Sequence, residues 1–570
     1  MGVNITPLLL PLGIWLMLSA AAPRRSEGRI AASGMLAFGL AACAFFAIGF
    51  GLMFGGIGAV LNDPGLSRFV TYYTFPVAGR TWGLLGLRGF LLQDAGTPEA
   101  LNLFIAYLPL VAANAMLIAG LMAHRTGFIA QTIVIALVSG IIFPIVGFWI
   151  WGGGWLAKTG LNLSLGHGVV DVGGLATASL IAGVAGAIWL MLLPKRQAVV
   201  APNLPPNHFP FRALSGAVLT LIGAGAFIAG NPIYAAHGIN TASAASSFAV
   251  NLTLASTVAA LLALGYSFLV TRRADTLCAA RAALAAVIIV SAGGPLFDTA
   301  LIVALGVVAT GVAILGMYLV REVLHWADDH AIVSTAGLSG VIGLLAVGLF
   351  ANGRFGAGWN GVGAVSFLGQ NGLGVVGALT FGNAPADPGQ LTAQLTAISA
   401  IVTLTAAVFS LPALLLRRLA VARQAFEIEE IESQATSTSG ALSDLLHHHP
   451  PAQAQAGRVD AEPQSLVSDS PPAIPEPATL GELPFHLNPA HSNVQQPETD
   501  QPTENIPADH QAPPKLTLLD RIRAARNKDE AGKPLRARHV AYPNRAGGRR
   551  VVIQPLPDDQ MPAPPAPEGS

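Results

Sequence analysis

About eleven apolar stretches, each near the ~20 residues that a helix needs to cross a hydrocarbon core, crowd the part of the chain before residue 420. They fall near 6–22, 30–58, 100–122, 127–151, 170–193, 211–230, 243–270, 277–294, 299–320, 332–351 and 391–416. A chain patterned in this way has to be an all-α integral membrane protein. Composition agrees, because 52% of residues are hydrophobic and 11% charged, against about a quarter charged in soluble domains.

The formal net charge of +0 hides a split between an apolar first part and a Pro-, Gln-, Ser- and Glu-rich remainder after Arg423. The expected division is a membrane domain over 1–420 and a disordered cytoplasmic tail over 421–570, since the tail cannot bury enough apolar surface to offset ordering entropy. Two tail stretches stand out. Residues 515–528 alternate Leu516, Leu518, Leu519 and Ile522 with Arg521, Arg523 and Arg526, the pattern of a short amphipathic helix on anionic lipid or a partner. A basic run from Arg545 to Arg550 leads into Val551 to Ile553. Residues 515–528 read equally as a transient helix in a solvated linker, and His447 to His449 are weak grounds for a metal site.

Arg24, Arg25, Arg29, Arg125, Lys195, Arg196, Arg212, Arg272, Arg273, Arg281, Arg321, Arg417 and Arg418 all fall in or beside one set of alternate loops. The positive-inside rule makes that side cytoplasmic, with the N-terminus outside and the C-terminus inside. The same charge order favours retention of the first helix over its removal as a signal peptide. Only Cys43 and Cys278 are present, each within an apolar run, so neither a disulfide framework nor a cysteine-based zinc site is available. No cofactor, metal or nucleic-acid partner is expected. The partners to expect are the lipid bilayer and a transported solute.

Ionisable side chains inside a membrane are costly and are the usual pointers to function. Here His124, His167, His208, His237, His325 and His330 all map to helix ends or loops, and no carboxylate or cation sits at mid-span. A carboxylate proton relay is excluded on that ground. What remains is a Gly-rich bundle with an aromatic run from Phe143 to Leu156 that includes Trp149, Trp151 and Trp155. A Trp face can attract a cation by about 0.5–2 kcal/mol, and equally Trp forms interfacial belts.

At this run the chain resembles the ammonium transporter (Amt/Rh/Mep) family. The resemblance extends from about Leu101 to Ala351. It rests on Ala112 to Arg125, on Trp149 to Leu156, on Asp171-Val-Gly-Gly-Leu-Ala-Thr-Ala-Ser-Leu-Ile-Ala-Gly-Val-Ala-Gly186, on Phe227-Ile-Ala-Gly230, and on Asp328 to Ala351. It implies an eleven-helix fold of two inverted five-helix halves, a homotrimer with one pore per subunit, ammonium or ammonia as the solute, no enzymatic activity, and a PII-type regulator at the cytoplasmic face. A bacterial inner membrane is the expected location.

Carried over residue by residue, the resemblance makes Trp151, Tyr107, Phe227 and Asn231 the vestibule, with Asp171 supporting it. An Asp that opens a helix also has sufficient reason as an N-cap. The family's paired pore histidines fall at Ser179 and Ala336, so both imidazoles are gone. The aromatic gate is altered too, with Ala106-Tyr107 in place of Phe-Gln and Phe227 kept. The resemblance therefore implies ammonium or ammonia transport with changed selectivity. Two other readings stay open: a non-conducting sensor or scaffold signalling through its tail, and a channel for another small neutral solute or gas.

Overall fold

In a computed structural model, described residues are 4–22, 27–123, 125–192, 209–380 and 384–447, less positions 230, 238 and 240, together with 537–543 and 549–555. Arg24, Arg25, Lys195, Arg196, His124, His208 and the 515–528 segment lie outside them.

Nine helices among the described residues are long and apolar enough to span a membrane. They are α2 (Glu27–Ala59), α3 (Pro98–Met122), α4 (Phe128–Ile150), α5 (Leu175–Leu192), α7 (Ala242–Thr271), α8 (Thr276–Leu296), α9 (Thr299–Val323), α10 (Ile332–Phe350) and α11, which is apolar over Pro388–Arg418. Two shorter apolar helices, α1 (Thr6–Ala20) and α6 (Pro210–Gly225), take the first and sixth places. The helix of α11 continues to His447. In a separate unit, Ala454–Ser570, the strands Ala537–Pro543 and Arg549–Pro555 form an antiparallel hairpin.

Helix starts are set by polar caps. Thr97 accepts from Ala100 N, Thr241 from Ala244 N, and Asp275 Oδ1 from Leu277 N and Cys278 N. Each satisfies an amide that has no partner within its helix. The two halves repeat one device. Asp171 caps α5 through Gly174 N and Thr177 N, and Asp328 caps α10 through Ile332 N and Ser334 N.

Glycines let the halves meet. A Cβ on Gly183 of α5 would lie 2.4 Å from Gly337 Cα of α10, and one on Gly337 would lie 2.8 Å from Gly183 Cα. A Cβ on Gly13 of α1 would lie 2.6 Å from Gly216 O of α6, and one on Gly216 would lie 2.6 Å from Gly13 O. Both pairs join helices holding equivalent places in the two halves. In lipid, where apolar surface gives no drive toward association, backbone approach of this kind supplies the packing.

Loops segregate to two ends. At one end Arg29 donates to Thr126 O, Arg125 to Ala327 O, Arg281 to Asp329 O, and Arg212 pairs with Glu27. At the other, Asn4 donates to Ala226 O and Ala229 O, and Asp298 meets Asn352 and Arg354. The connection between α2 and α3, which hydropathy leaves as a loop, holds a hairpin of β1 (Tyr72–Val77) and β2 (Arg80–Gly86). Ala78 and Gly79 at its turn have φ of 52° and 72°, the twist that tight hairpins require. Trp149 Nε1 donates to Leu84 O and pins this hairpin to the end of α4.

Gly183→Ala is expected to lower the melting temperature of the detergent-solubilised protein, with a cost of about 1–3 kcal/mol for overpacking against backbone. Gly39→Ala, which meets nothing within 4 Å, should leave it unchanged.

Candidate functional site

The aromatic residues singled out in the sequence converge. Tyr107 of α3 lies with its ring centroid 5.4 Å from that of Trp151, 5.5 Å from that of Phe227 at 82°, and 4.9 Å from that of Phe54. Tyr107 and Phe227, the two rings expected at the gate, therefore pack edge to face. Edge-to-face rings at this spacing are favourable by about 0.5–1.5 kcal/mol beyond their burial. The column runs on through Tyr234, 5.8 Å from Phe227, to Trp359, 5.7 Å from Tyr234, and to His237, 5.0 Å from Trp359.

Trp151 is fixed by its indole N–H, which donates to Asp171 O at 3.0 Å. Both oxygens of the Asp171 carboxylate are engaged: Oδ1 accepts from Gly174 N at 2.9 Å, and Oδ2 from Thr177 N at 2.9 Å and Thr177 Oγ1 at 2.6 Å. Asp171 thus positions α5 and the Trp151 ring. Asn231 Oδ1 accepts from Ile233 N at 3.1 Å. Tyr107 and Tyr234 lie close enough to each other, and Tyr107 to Asn231, to interact, yet the two hydroxyls and Asn231 Nδ2 meet no hydrogen-bond geometry with protein atoms. All three residues are fully buried.

Helix α5 starts at Leu175, later than hydropathy suggests, because Val170 to Gly174 is non-helical. Its backbone is satisfied from other segments. Val172 N donates to Ala292 O and Gly173 N to Ser291 O. Gln390 donates to Gly168 O, Gln394 to Val170 O, and Asn360 to His167 O and Val169 O. Irregular backbone is tolerated at such depth only when partners of this kind exist.

Ser179 and Ala336 are 0% and 1% exposed. They flank the α5–α10 contact: Gly183 meets Gly337, and a Cβ on Gly340 would lie 2.5 Å from Ala176 O and 2.8 Å from Leu180 N. Neither position faces lipid. Ser179 Oγ has no hydrogen-bond partner. His167 and His330 are the nearest buried imidazoles in sequence, and both precede their helices: His167 lies in the loop before α5 and packs on Phe367 at 4.6 Å, and His330 precedes α10. Among the described residues no group of three His, Cys, Asp or Glu could hold a metal ion.

Sequence reasoning missed Tyr234, Trp359 and the mid-span Asn114. The first two sit in connections where apolar patterning carries no signal. Asn114 escapes a search for ionisable groups, although an uncharged amide in hydrocarbon also demands partners.

The model of the Ammonium Transporter Family matches residues 8–437. The chain belongs to the ammonium transporter family, a family of transporters and not of enzymes. The ammonium transporter Amt2 of Archaeoglobus fulgidus is 27% identical over 350 residues, 60% of this chain and 68% of that protein. The ammonium transporter of Aquifex aeolicus is 26% identical over 260 residues, 46% of this chain and 57% of that protein. Among solved structures, a "Sensor Amt Protein" aligns at a TM-score of 0.55 and 20% identity, covering 72% of this chain and 90% of its own. The G343C mutant of Candida albicans Mep2 aligns at 0.56 and 19%, covering 74% and 85%. These likenesses establish the eleven-helix membrane fold of two inverted halves.

Burial holds His167 down at about 4, from an ordinary 6.5, and His237 down at about 4, its bond to Gly358 acting weakly the other way. The unfolded chain therefore binds protons that the folded chain refuses. Stability is full above about 6.5 and is lost as pH falls toward about 4. The melting temperature in detergent should fall over that window, and His167→Phe should flatten part of the fall, leaving the part due to His237.

Proposed function

We propose that the protein conducts ammonia across a membrane as the neutral molecule, taking ammonium at the aromatic vestibule, where its proton passes to water on the entry side before the narrow part of the path. The observation that carries this reading is the burial of Ser179 and Ala336 beside the α5–α10 contact, at the positions where the family resemblance places imidazoles. An ammonium ion stripped of water there would face a penalty of several kcal/mol with nothing to replace its shell. A neutral solute faces far less.

In this reading Trp151, Tyr107, Phe227 and Asn231 receive the cation, with the Trp151 ring held by Asp171. Ser179 and Ala336 wall the narrow path. The arginine end is cytoplasmic by the positive-inside rule, which puts the N-terminus outside and the C-terminus inside a bacterial inner membrane. Residues 1–420 form the membrane domain and 421–570 the cytoplasmic tail. The same proposal includes a homotrimer with one path per subunit and a PII-type regulator at the arginine face, as the family resemblance implies.

Uptake of ammonia or methylamine into proteoliposomes should exceed that of empty liposomes. Trp151→Ala should lower it about fivefold, the loss of about 1 kcal/mol of cation attraction. Uptake at the empty-liposome level would overturn the reading and leave a non-conducting role. Ser179→His combined with Ala336→His should sharpen selectivity for ammonium. A folded double variant without that gain would contradict the placement of the path.

A further inference from the structure

Asn114 sits in the middle of α3, 0% exposed. Its Nδ2 donates to Ala178 O of α5 at 2.6 Å. A carbonyl oxygen can only accept, so this bond fixes which way the carboxamide points and turns Oδ1 away. Oδ1 has no hydrogen-bond partner. The next residue along α5 is Ser179, whose buried Oγ is also without one. One acceptor on α3 and one hydroxyl on α5 thus stand at the same level, held together by the bond to Ala178.

Each is out of keeping with its surroundings. Many helical hydroxyls bond back to the preceding turn, as Thr220 does to Gly216 O, Thr396 to Thr392 O and Ser399 to Leu395 O. Ser33, Ser139, Ser334, Thr335, Ser339 and Thr405 also lack partners, but among the described residues Ser179 alone of these follows a residue whose carbonyl anchors a side chain of another helix. Leaving a buried polar atom unpaired costs about 1–3 kcal/mol, so two at one level call for a ligand.

The pair also lies on the line of the gate. Tyr107 and Asn114 share one face of α3, two turns and about 10 Å apart. Between them Leu110 closes on Gly174 beside Trp151, and further along Leu121 closes on Gly186. The face of α3 that carries the gate ring therefore tracks α5 past Ser179.

We propose that Asn114 and Ser179 are the polar station of the conduit, binding a small neutral molecule that both donates and accepts a hydrogen bond, with ammonia or a primary amine as free base the ligand. Asn114 Oδ1 accepts an N–H and the Ser179 hydroxyl donates to the nitrogen lone pair. Ammonium has no lone pair to accept that bond, and neither side chain titrates, so the station passes the free base and relays no proton. This rests on the conduction reading above.

The test is stopped-flow internal alkalinisation of proteoliposomes given an ammonium chloride gradient, with the wild type, Trp151→Ala, Asn114→Leu and Ser179→Ala compared. Osmotic shrinkage of the same vesicles reports water. Ser179→Ala removes one atom and should keep the wild-type melting temperature while slowing ammonia entry about tenfold, as should Asn114→Leu where it folds. If Ser179→Ala enters at the wild-type rate while Trp151→Ala remains slow, the station is overturned and conduction stands. If Ser179→Ala slows water and not ammonia, the ligand assignment is overturned. Wild-type entry at the empty-liposome rate overturns both.

Discussion

The backbone contact between Gly183 and Gly337 is the constraint on which the rest depends. It joins α5 to α10, the helices that begin at the paired caps Asp171 and Asp328. Ser179 and Ala336 stand the same distance beyond those caps, one in each half, so whatever occupies them lies beside the contact. The Gly13–Gly216 contact repeats the device between α1 and α6. Two self-equivalent crossings hold two inverted halves in register without any buried ion pair, which is how a bundle with no mid-span charge among its described residues stays tightly packed.

From this frame the site follows in order. Both carboxylate oxygens of Asp171 cap α5, and its main-chain carbonyl orients Trp151. Tyr107 and Phe227 close over that ring. In the proposed path, Ser179 and Ala336 stand where the family resemblance leads one to expect imidazoles. The chemistry that survives there is hydrogen bonding by groups that do not titrate, and that directs the path toward a neutral solute.

Much of this was legible before any coordinates. Long apolar runs in a membrane chain have few alternatives, so nine of the spans lie within a few residues of their hydropathic limits. The exceptions are the end of α6, at Gly225 and not 230, and the start of α5, where Val170 to Gly174 is apolar enough to pass as helix yet is held non-helical by Gln390, Gln394, Asn360 and the end of α8. Hydropathy is blind to such long-range partners. The same blindness hid the β1–β2 hairpin and the reach of the aromatic column to Tyr234 and Trp359. Tyr107 was visible as a changed residue, but only the ring geometry shows that it packs edge to face on Phe227. Asn114 was visible as a letter; its meaning needed the bond to Ala178 O, which leaves one buried oxygen without a partner.

The most direct test of a neutral path is the charge moved when an ammonium pulse is applied to proteoliposomes adsorbed on a solid-supported membrane. The account predicts alkalinisation of the vesicle interior with no steady protein-dependent current. A sustained current that scales with the amount of protein would mean that charge crosses beside Ser179 and Ala336, and would contradict it.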